Sequence, residues 1–163
     1  MKLYFLRHGI AFEADAWHGS DFDRPLTAEG SKKLAREAKT IAQLELEVDC
    51  ILSSPLVRAK QTANIVAAAC KPAKSVIEDS RLGGGFGSAA LVGILRDHTD
   101  ARAILLVGHE PGMSHTIADL TGAHLDFKKG MLACVELSSF ESIRGALVWL
   151  LPAKFLTLKG AEV

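Results

Sequence analysis

The chain has no surplus of charge of either sign: Lys and Arg together number 19, and so do Asp and Glu. No net field therefore draws it to nucleic acid or to an anionic membrane, and any anion site must be local, built from a few converging groups. Cysteine is scarce. Cys50, Cys70 and Cys134 form an odd set with neither CxxC nor zinc-finger spacing, which argues for reduced thiols in a cytoplasmic protein. Long apolar runs are missing too. The opening run, Leu3 to Leu6, ends at Arg7 and is too short for the core of a signal peptide. No stretch approaches the ~20 apolar residues that a spanning helix needs, so no membrane partner is expected. The glycines of Gly83–Gly87 are not followed by the Gly-Lys-Ser/Thr of a phosphate-binding P-loop. His18, His98, His115 and His124 show no sustained ligand spacing, and neither a metal nor a cofactor is expected.

What is present suits a packed core. The hydrophobic fraction is 48% with 23% charged, and 163 residues fit one domain, taken here as 1–163. Short apolar runs alternate with helical patterns. Leu3–Leu6, Val48–Leu52 and Ala103–Val107 read as buried strands, and Ser75–Ile77 as a short one. Thr27 is the expected N-cap of a helix over Ala28–Leu44, with Leu34, Ala38 and Ile41 at i, i+4 and i+7. Further helices are expected from Val57 to Cys70, after a Ser88 cap, and from Pro111 in the first turn to a stop at Gly122. Met131–Leu137 and Ala146–Leu151, separated by Ser138–Gly145, suit an antiparallel pair. The expected fold is α/β: a mostly parallel central sheet with helices on both faces and an antiparallel C-terminal strand pair.

In such sheets ligands bind beyond the carboxyl ends of the strands. Three strands are followed by groups of one chemical kind: Arg7-His8, the stretch Ser53 to Arg58, and His109. Parallel strands would bring all three to one edge. Arg58 falls in the first turn of a helix, where backbone N–H groups and the helix dipole already favour an anion, and His109 directly precedes another helix start. Each piece alone has a plainer reading: a structural Arg-His, a solvated helix arginine, a histidine satisfying a turn. Together they describe a phosphate site. One imidazole, kept neutral, can attack phosphorus and carry the phosphoryl group. The other, beside an oxyanion, is expected in its charged form as a donor. His8 is expected to be the nucleophile because its strand fixes its aim, and Gly9 should permit a tight turn and close approach of substrate. Glu110 has an N-terminal helix role to weigh against phosphate binding. The acids of Glu13 to Asp23 read as a solvated loop able to shape the mouth of the site.

Leu6-Arg7-His8-Gly9 resembles the signature of the histidine phosphatase superfamily. Pro25-Leu26-Thr27-x-x-Gly30, Ser53-Ser54-Pro55-x-x-Arg58-x-x-x-Thr62 and Val107-Gly108-His109-Glu110-Pro111 follow in that family's order. The resemblance implies a phosphoglycerate mutase-like fold in the short phosphohistidine phosphatase branch. It implies His8 as nucleophile, Arg7 and Arg58 as phosphate clamps, and His109 as the second pocket histidine, with no metal. Many members carry an acid after the third strand to protonate an alcohol leaving group. Here only Glu78 and Asp79 offer themselves as a weak general acid, which favours a labile donor such as phosphohistidine on a signalling protein. A phosphomonoesterase acting on a small phosphorylated substrate is the alternative, and a non-catalytic phosphoprotein-binding module the rival of another class.

Overall fold

Strand residues alternate their apolar side chains between two cores, and the helices divide to match. The structure, a computed structural model, describes residues 1–72, 75–139 and 143–157. Strand β1 (Lys2–Arg7) sends Leu3 and Phe5 to one side and Tyr4 and Leu6 to the other. Strands β2 (Cys50–Ser53) and β4 (Ala103–Gly108) do the same, so both faces are buried, as parallel strands require. Helices α1 (Ala28–Gln43) and α2 (Val57–Cys70) cover the Tyr4 and Leu6 side with Ala38, Ile41, Ala59, Ala63 and Val66. Helices α3 (Ser88–Asp97) and α4 (Gly112–Thr121) cover the other with Leu91, Ile94, Leu95, Ile117 and Leu120.

The remaining strands are β3 (Ile77–Glu78), β5 (Leu132–Ser139) and β6 (Arg144–Leu151). The six-stranded sheet runs β3-β2-β4-β1-β5-β6. β1 pairs with β4, β4 with β2 and β2 with β3, all parallel, while β5 lies antiparallel to both β1 and β6. The C-terminal pair is thus joined onto β1 and extends the main sheet. The helices that follow β1 and β4 leave to opposite faces, which makes the gap between those neighbours the switch point where α/β sheets bind ligands.

Element ends differ from expectation by a few residues, and the reasons are local. Ser88 opens α3 as its first residue instead of capping it, because its hydroxyl donates to Asp119 Oδ2 of α4 at 2.6 Å. Pro111 stands at the N-cap of α4 and not inside its first turn. Gly122 ends that helix with a φ of 74°. The middle of the expected Ser138–Gly145 connection, 140–142, lies outside the described residues.

Gly30 ties the start of α1 to the turn after β1. The Ile10 carbonyl accepts from Thr27 N–H at 3.0 Å, and Thr27 Oγ1 caps Gly30 N–H at 2.9 Å. A Cβ on Gly30 would stand 2.1 Å from that same Ile10 oxygen. Gly30→Ala is therefore expected to cost about 1–3 kcal/mol by overpacking against backbone. A thermal melt checks this; an unchanged midpoint would mean that the 9–13 turn yields freely.

Candidate active site

The parallel register sets Arg7 opposite Gly108 and Ser53 opposite Val107, so three strand ends deliver Arg7-His8, Ser54 and His109 to one edge of the sheet. The exits are pinned by backbone bonds: His8 N–H to the Gly108 carbonyl at 3.1 Å, and Ser54 N–H to the Val107 carbonyl at 3.0 Å. Gly130 N–H closes over the carbonyls of Arg7 and His8 at 3.1 and 3.2 Å. The rings of His8 and His109 face each other with centroids 5.1 Å apart.

His8 is buried, and its Nδ1 lies 2.8 Å from the Gly9 carbonyl. A carbonyl only accepts, so Nδ1 carries the hydrogen and the lone pair resides on Nε2. Gly9 also serves His8 through its backbone. Its φ is not among the positive values and a Cβ there would meet Leu34 at an ordinary 3.4 Å, so the protein's own packing does not demand glycine. Its contribution is its carbonyl, while its N–H donates to Thr62 Oγ1 at 3.1 Å. Thr62 in turn donates to the Arg58 carbonyl at 2.7 Å.

Both arginines are anchored at one end. Arg7 Nη1 donates to the Phe127 carbonyl at 2.9 Å. Arg58, in the first turn of α2, donates from Nη1 to the Asp21 carbonyl at 2.8 Å and from Nη2 to Asp21 Oδ2 at 3.1 Å. His109 Nε2 meets Ser54 Oγ at 2.8 Å. Ser54 Oγ also accepts from Leu56 N–H, and both its hydrogen and its second lone pair are able to serve His109 Nε2. Arg7 Nε, Arg58 Nε and His109 Nδ1 are buried with no hydrogen-bond partner among the described residues. Buried polar nitrogens are almost always paired, so three orphans among the groups around His8 leave the site short of acceptors.

Burial drives His8 down to about 3; the Gly9 hydrogen bond opposes this, and His109, Arg58 and Arg7 add to it. Burial likewise takes His109 to about 4, with Arg58 lowering it further and Asp21 opposing. With no anion bound, His109 is therefore neutral; the charged form expected of it belongs to the state in which an oxyanion lies beside it.

The other expected residues fall elsewhere. Glu110 caps α4: Oε1 accepts from Ser114 N–H at 3.0 Å and Oε2 from the Ser114 hydroxyl. Asp79 is gripped by Arg81, whose Nη2 reaches Oδ2 at 2.6 Å, and that hydrogen bonding holds its carboxyl below the usual range. Glu78 pairs with Lys60 at 2.8 Å. Asp21 was legible only as one acid of a loop; nothing in the pattern separated it from Asp15 or Asp23. Burial pushes its carboxyl up, but hydrogen bonds and charge from Arg24 and Arg58 prevail and hold it down. Ser54 lay inside a quoted motif without a role. Among the described residues no three His, Cys, Asp or Glu side chains converge to hold a metal ion, and no helix is long and apolar enough to cross a membrane.

The sequence profile of the histidine phosphatase superfamily (branch 1) matches residues 3–84, half of the chain. The chain belongs to the histidine phosphatase superfamily. An uncharacterised protein of Picosynechococcus is 40% identical over 136 residues, 79% of this chain and 81% of its own length. A probable phosphoglycerate mutase of Escherichia coli, GpmB, is 39% identical over 83 residues, 50% of this chain but 37% of that protein. Among solved structures, the protein histidine phosphatase SixA complexed with tungstate superposes with a TM-score of 0.84 at 25% identity, covering 96% of this chain and 99% of that one. The fold is that of the short, SixA-like members of the superfamily, with the phosphoglycerate mutase-like sheet.

Depressed histidines have a measurable consequence. Each of His8 and His109 takes up a proton on unfolding once the pH drops below the ordinary 6.5, whereas folded they resist to about 3 and about 4. Their contribution to stability is therefore complete above pH 6.5 and is lost as the pH falls from there towards 4. In NMR titrations both rings are expected to stay neutral through pH 5. A midpoint near 6.5 for either would mean that its ring is solvated.

Proposed function

We propose that this superfamily member is a phosphatase that transfers the phosphoryl group of a phosphohistidine, carried on a signalling protein, to His8 Nε2 and then to water. The observation that carries this reading is an aimed lone pair among cations. His8 Nδ1 is committed to the Gly9 carbonyl, which leaves Nε2 free, and Arg7, Arg58 and His109 all act electrostatically on that ring. In the first step the P–N bond of the donor breaks as a P–Nε2 bond forms to His8, and the departing imidazole takes a proton from water. In the second, water attacks the His8 phosphoramidate, and phosphate leaves with His8 restored. The negative charge on the equatorial oxygens is met throughout by Arg7, Arg58 and His109, whose placement precedes the reaction. A bound dianion raises the affinity of His109 for a proton and strengthens its bond to the phosphoryl oxygens. No step asks for a metal.

The carboxylates support the choice of donor. Asp79 is held ionised by Arg81, Asp21 by Arg24 and Arg58, and Glu78 is engaged by Lys60, so none stands as a neutral acid beside His8. An alkoxide leaving group needs such an acid, whereas an imidazole leaves with less help. The likeness to SixA solved with tungstate, a phosphate-like oxyanion, points the same way. The likeness to a probable phosphoglycerate mutase favours a second reading, a small-molecule phosphomonoesterase, over part of the chain.

Rapid quenching under neutral or alkaline conditions, with EDTA present throughout, is expected to trap an acid-labile, alkali-stable phosphoryl group on the peptide containing His8. His8→Ala should lose both label and turnover, and His109→Ala should turn over slowly while still taking some label. Label on the His109 peptide would reverse the two roles, and turnover abolished by EDTA would end the metal-free mechanism.

Arg58→Ala removes a fork of donors from the transition state and is expected to lower kcat/KM by at least ~10²–10³-fold. Arg58→Lys should recover only part, because an ammonium cannot bridge two oxygens in one plane. Steady-state rates beside a melting curve decide it. A near wild-type rate for Arg58→Ala would move the site away from α2.

A further inference from the structure

We infer that Asp21 is a specificity-determining residue, the acceptor for the N–H on the second ring nitrogen of a phosphohistidine donor. This deepens the function proposed above and rests on it. His8 itself displays what such a ring requires. Its Nδ1–H is held by the Gly9 carbonyl at 2.8 Å, so a phosphoryl group taken up on Nε2 makes the ring a cation whose distal N–H already has an acceptor. The donor is the same chemical group on the other side of phosphorus. Its distal nitrogen needs an acceptor too.

Asp21 stands where that ring must lie. His8 is only 5% exposed, and attacking and leaving atoms are roughly in line through phosphorus, so the leaving ring points to the mouth of the site. The Asp21 side chain is 60% exposed at that mouth, over an Arg58 side chain that is 7% exposed. Its carbonyl and Oδ2 take Arg58 Nη1 and Nη2 at 2.8 and 3.1 Å. A guanidinium is one plane of five donors, and what Asp21 leaves of it is what phosphoryl oxygens can use. Carboxylate and phosphoryl group are thereby neighbours on one rigid fork. Oδ1 is taken by Arg24 Nε at 2.8 Å, whereas Oδ2 accepts from Arg58 Nη2 alone among the described residues and keeps a lone pair.

An ionised carboxylate here favours a protonated ring. The second nitrogen of the donor ring takes a proton from water, and Asp21 retains it there. As the P–Nε2 bond forms to His8, the P–N pair withdraws onto the donor nitrogen. The ring then leaves as neutral imidazole with the proton it already has. A phosphate ester has no N–H at this point, and Asp21, held ionised by Arg24 and Arg58, has no proton to give its alkoxide. Arg24 on its own segment, Arg58 on α2 and His109 after β4 are the charged and titratable groups that bond Asp21 or feel its charge. Any effect that runs through Arg58 or His109 reaches every substrate alike, and one on the ring proton reaches phosphohistidine only.

The test compares wild type with Asp21→Asn, which keeps an oxygen for Arg58 and lacks the charge, on phosphohistidine and on p-nitrophenyl phosphate. The ratio of kcat/KM for phosphohistidine to that for p-nitrophenyl phosphate is expected to fall at least ~10-fold, the weight of one charge-assisted hydrogen bond. The alkaline limb of kcat should move down by about one pH unit for phosphohistidine only, since the ring proton loses its acceptor. Asp21→Glu should recover part of the ratio. A second measurement needs no variant: with each substrate set against its own uncatalysed hydrolysis, wild type should accelerate phosphorylated 1-methylimidazole, which has a methyl in place of that proton, at least ~10-fold less than phosphoimidazole. Equal losses on both substrates in Asp21→Asn, an unchanged ratio, or equal acceleration of the methylated and plain rings would overturn the inference and leave the function standing. Wild-type turnover of p-nitrophenyl phosphate with phosphohistidine refused would instead remove the proposed function, and the role of Asp21 with it.

Discussion

Parallel pairing of β1 with β4 is the constraint from which the site follows. Six consecutive residue pairs, Lys2 with Ala103 through Arg7 with Gly108, set two chain exits side by side, and the next residue on each strand is a histidine. Each exit then leads to a different face of the sheet, because the helices after the two strands pack on opposite cores. The floor between them cannot be covered by either helix. A parallel sheet with both faces buried leaves its strand ends as the one place where backbone and polar side chains are free to meet a ligand.

Concentrating cations there has an electrostatic cost, and the surroundings show how it is met. Arg7 leans on a backbone carbonyl and Arg58 on both a carbonyl and the Asp21 carboxylate, so each guanidinium is partly satisfied before any anion arrives. The histidines respond by staying neutral. Neutrality is what His8 needs, since a protonated imidazole has no lone pair to offer. Cationic neighbours, which would weaken a carboxylate base, here join burial in keeping a nitrogen nucleophile neutral.

Much of this was legible in the sequence, for reasons that particular residues make plain. Ala103–Val107 is an unbroken apolar run, and only a strand buried on both sides asks for one; the residue after it was therefore placeable without coordinates. Thr27 and Glu29 announced the start of α1 through capping and first-turn charge. What escaped were contacts made across long stretches of chain by groups with no distinctive type. Asp21 reaches Arg58 from 37 residues away, and the Phe127 carbonyl serves Arg7 from 120. Any residue has a carbonyl, so its use leaves no mark on composition or spacing. The Gly9 carbonyl is a further case, since its bond to His8 Nδ1 has no counterpart in the pattern, whereas the helix N-terminal role weighed for Glu110 is the one its bonds to Ser114 display.

Thr62 has a consequence for how the site ages under mutation. Its one hydroxyl accepts from the amide after His8 and donates to the carbonyl of Arg58, so strand exit and helix start are spliced by a single oxygen. The spacing between the two groups is then a property of two short bonds and not of the segment from 10 to 56 that joins them in sequence. Asp21, Gly30 and β2 are fixed points within that segment, but its exposed surface can change over generations while the distance between imidazole and guanidinium stays where the threonine sets it. A chain built this way separates the part that must hold still from the part that is at liberty to acquire new partners.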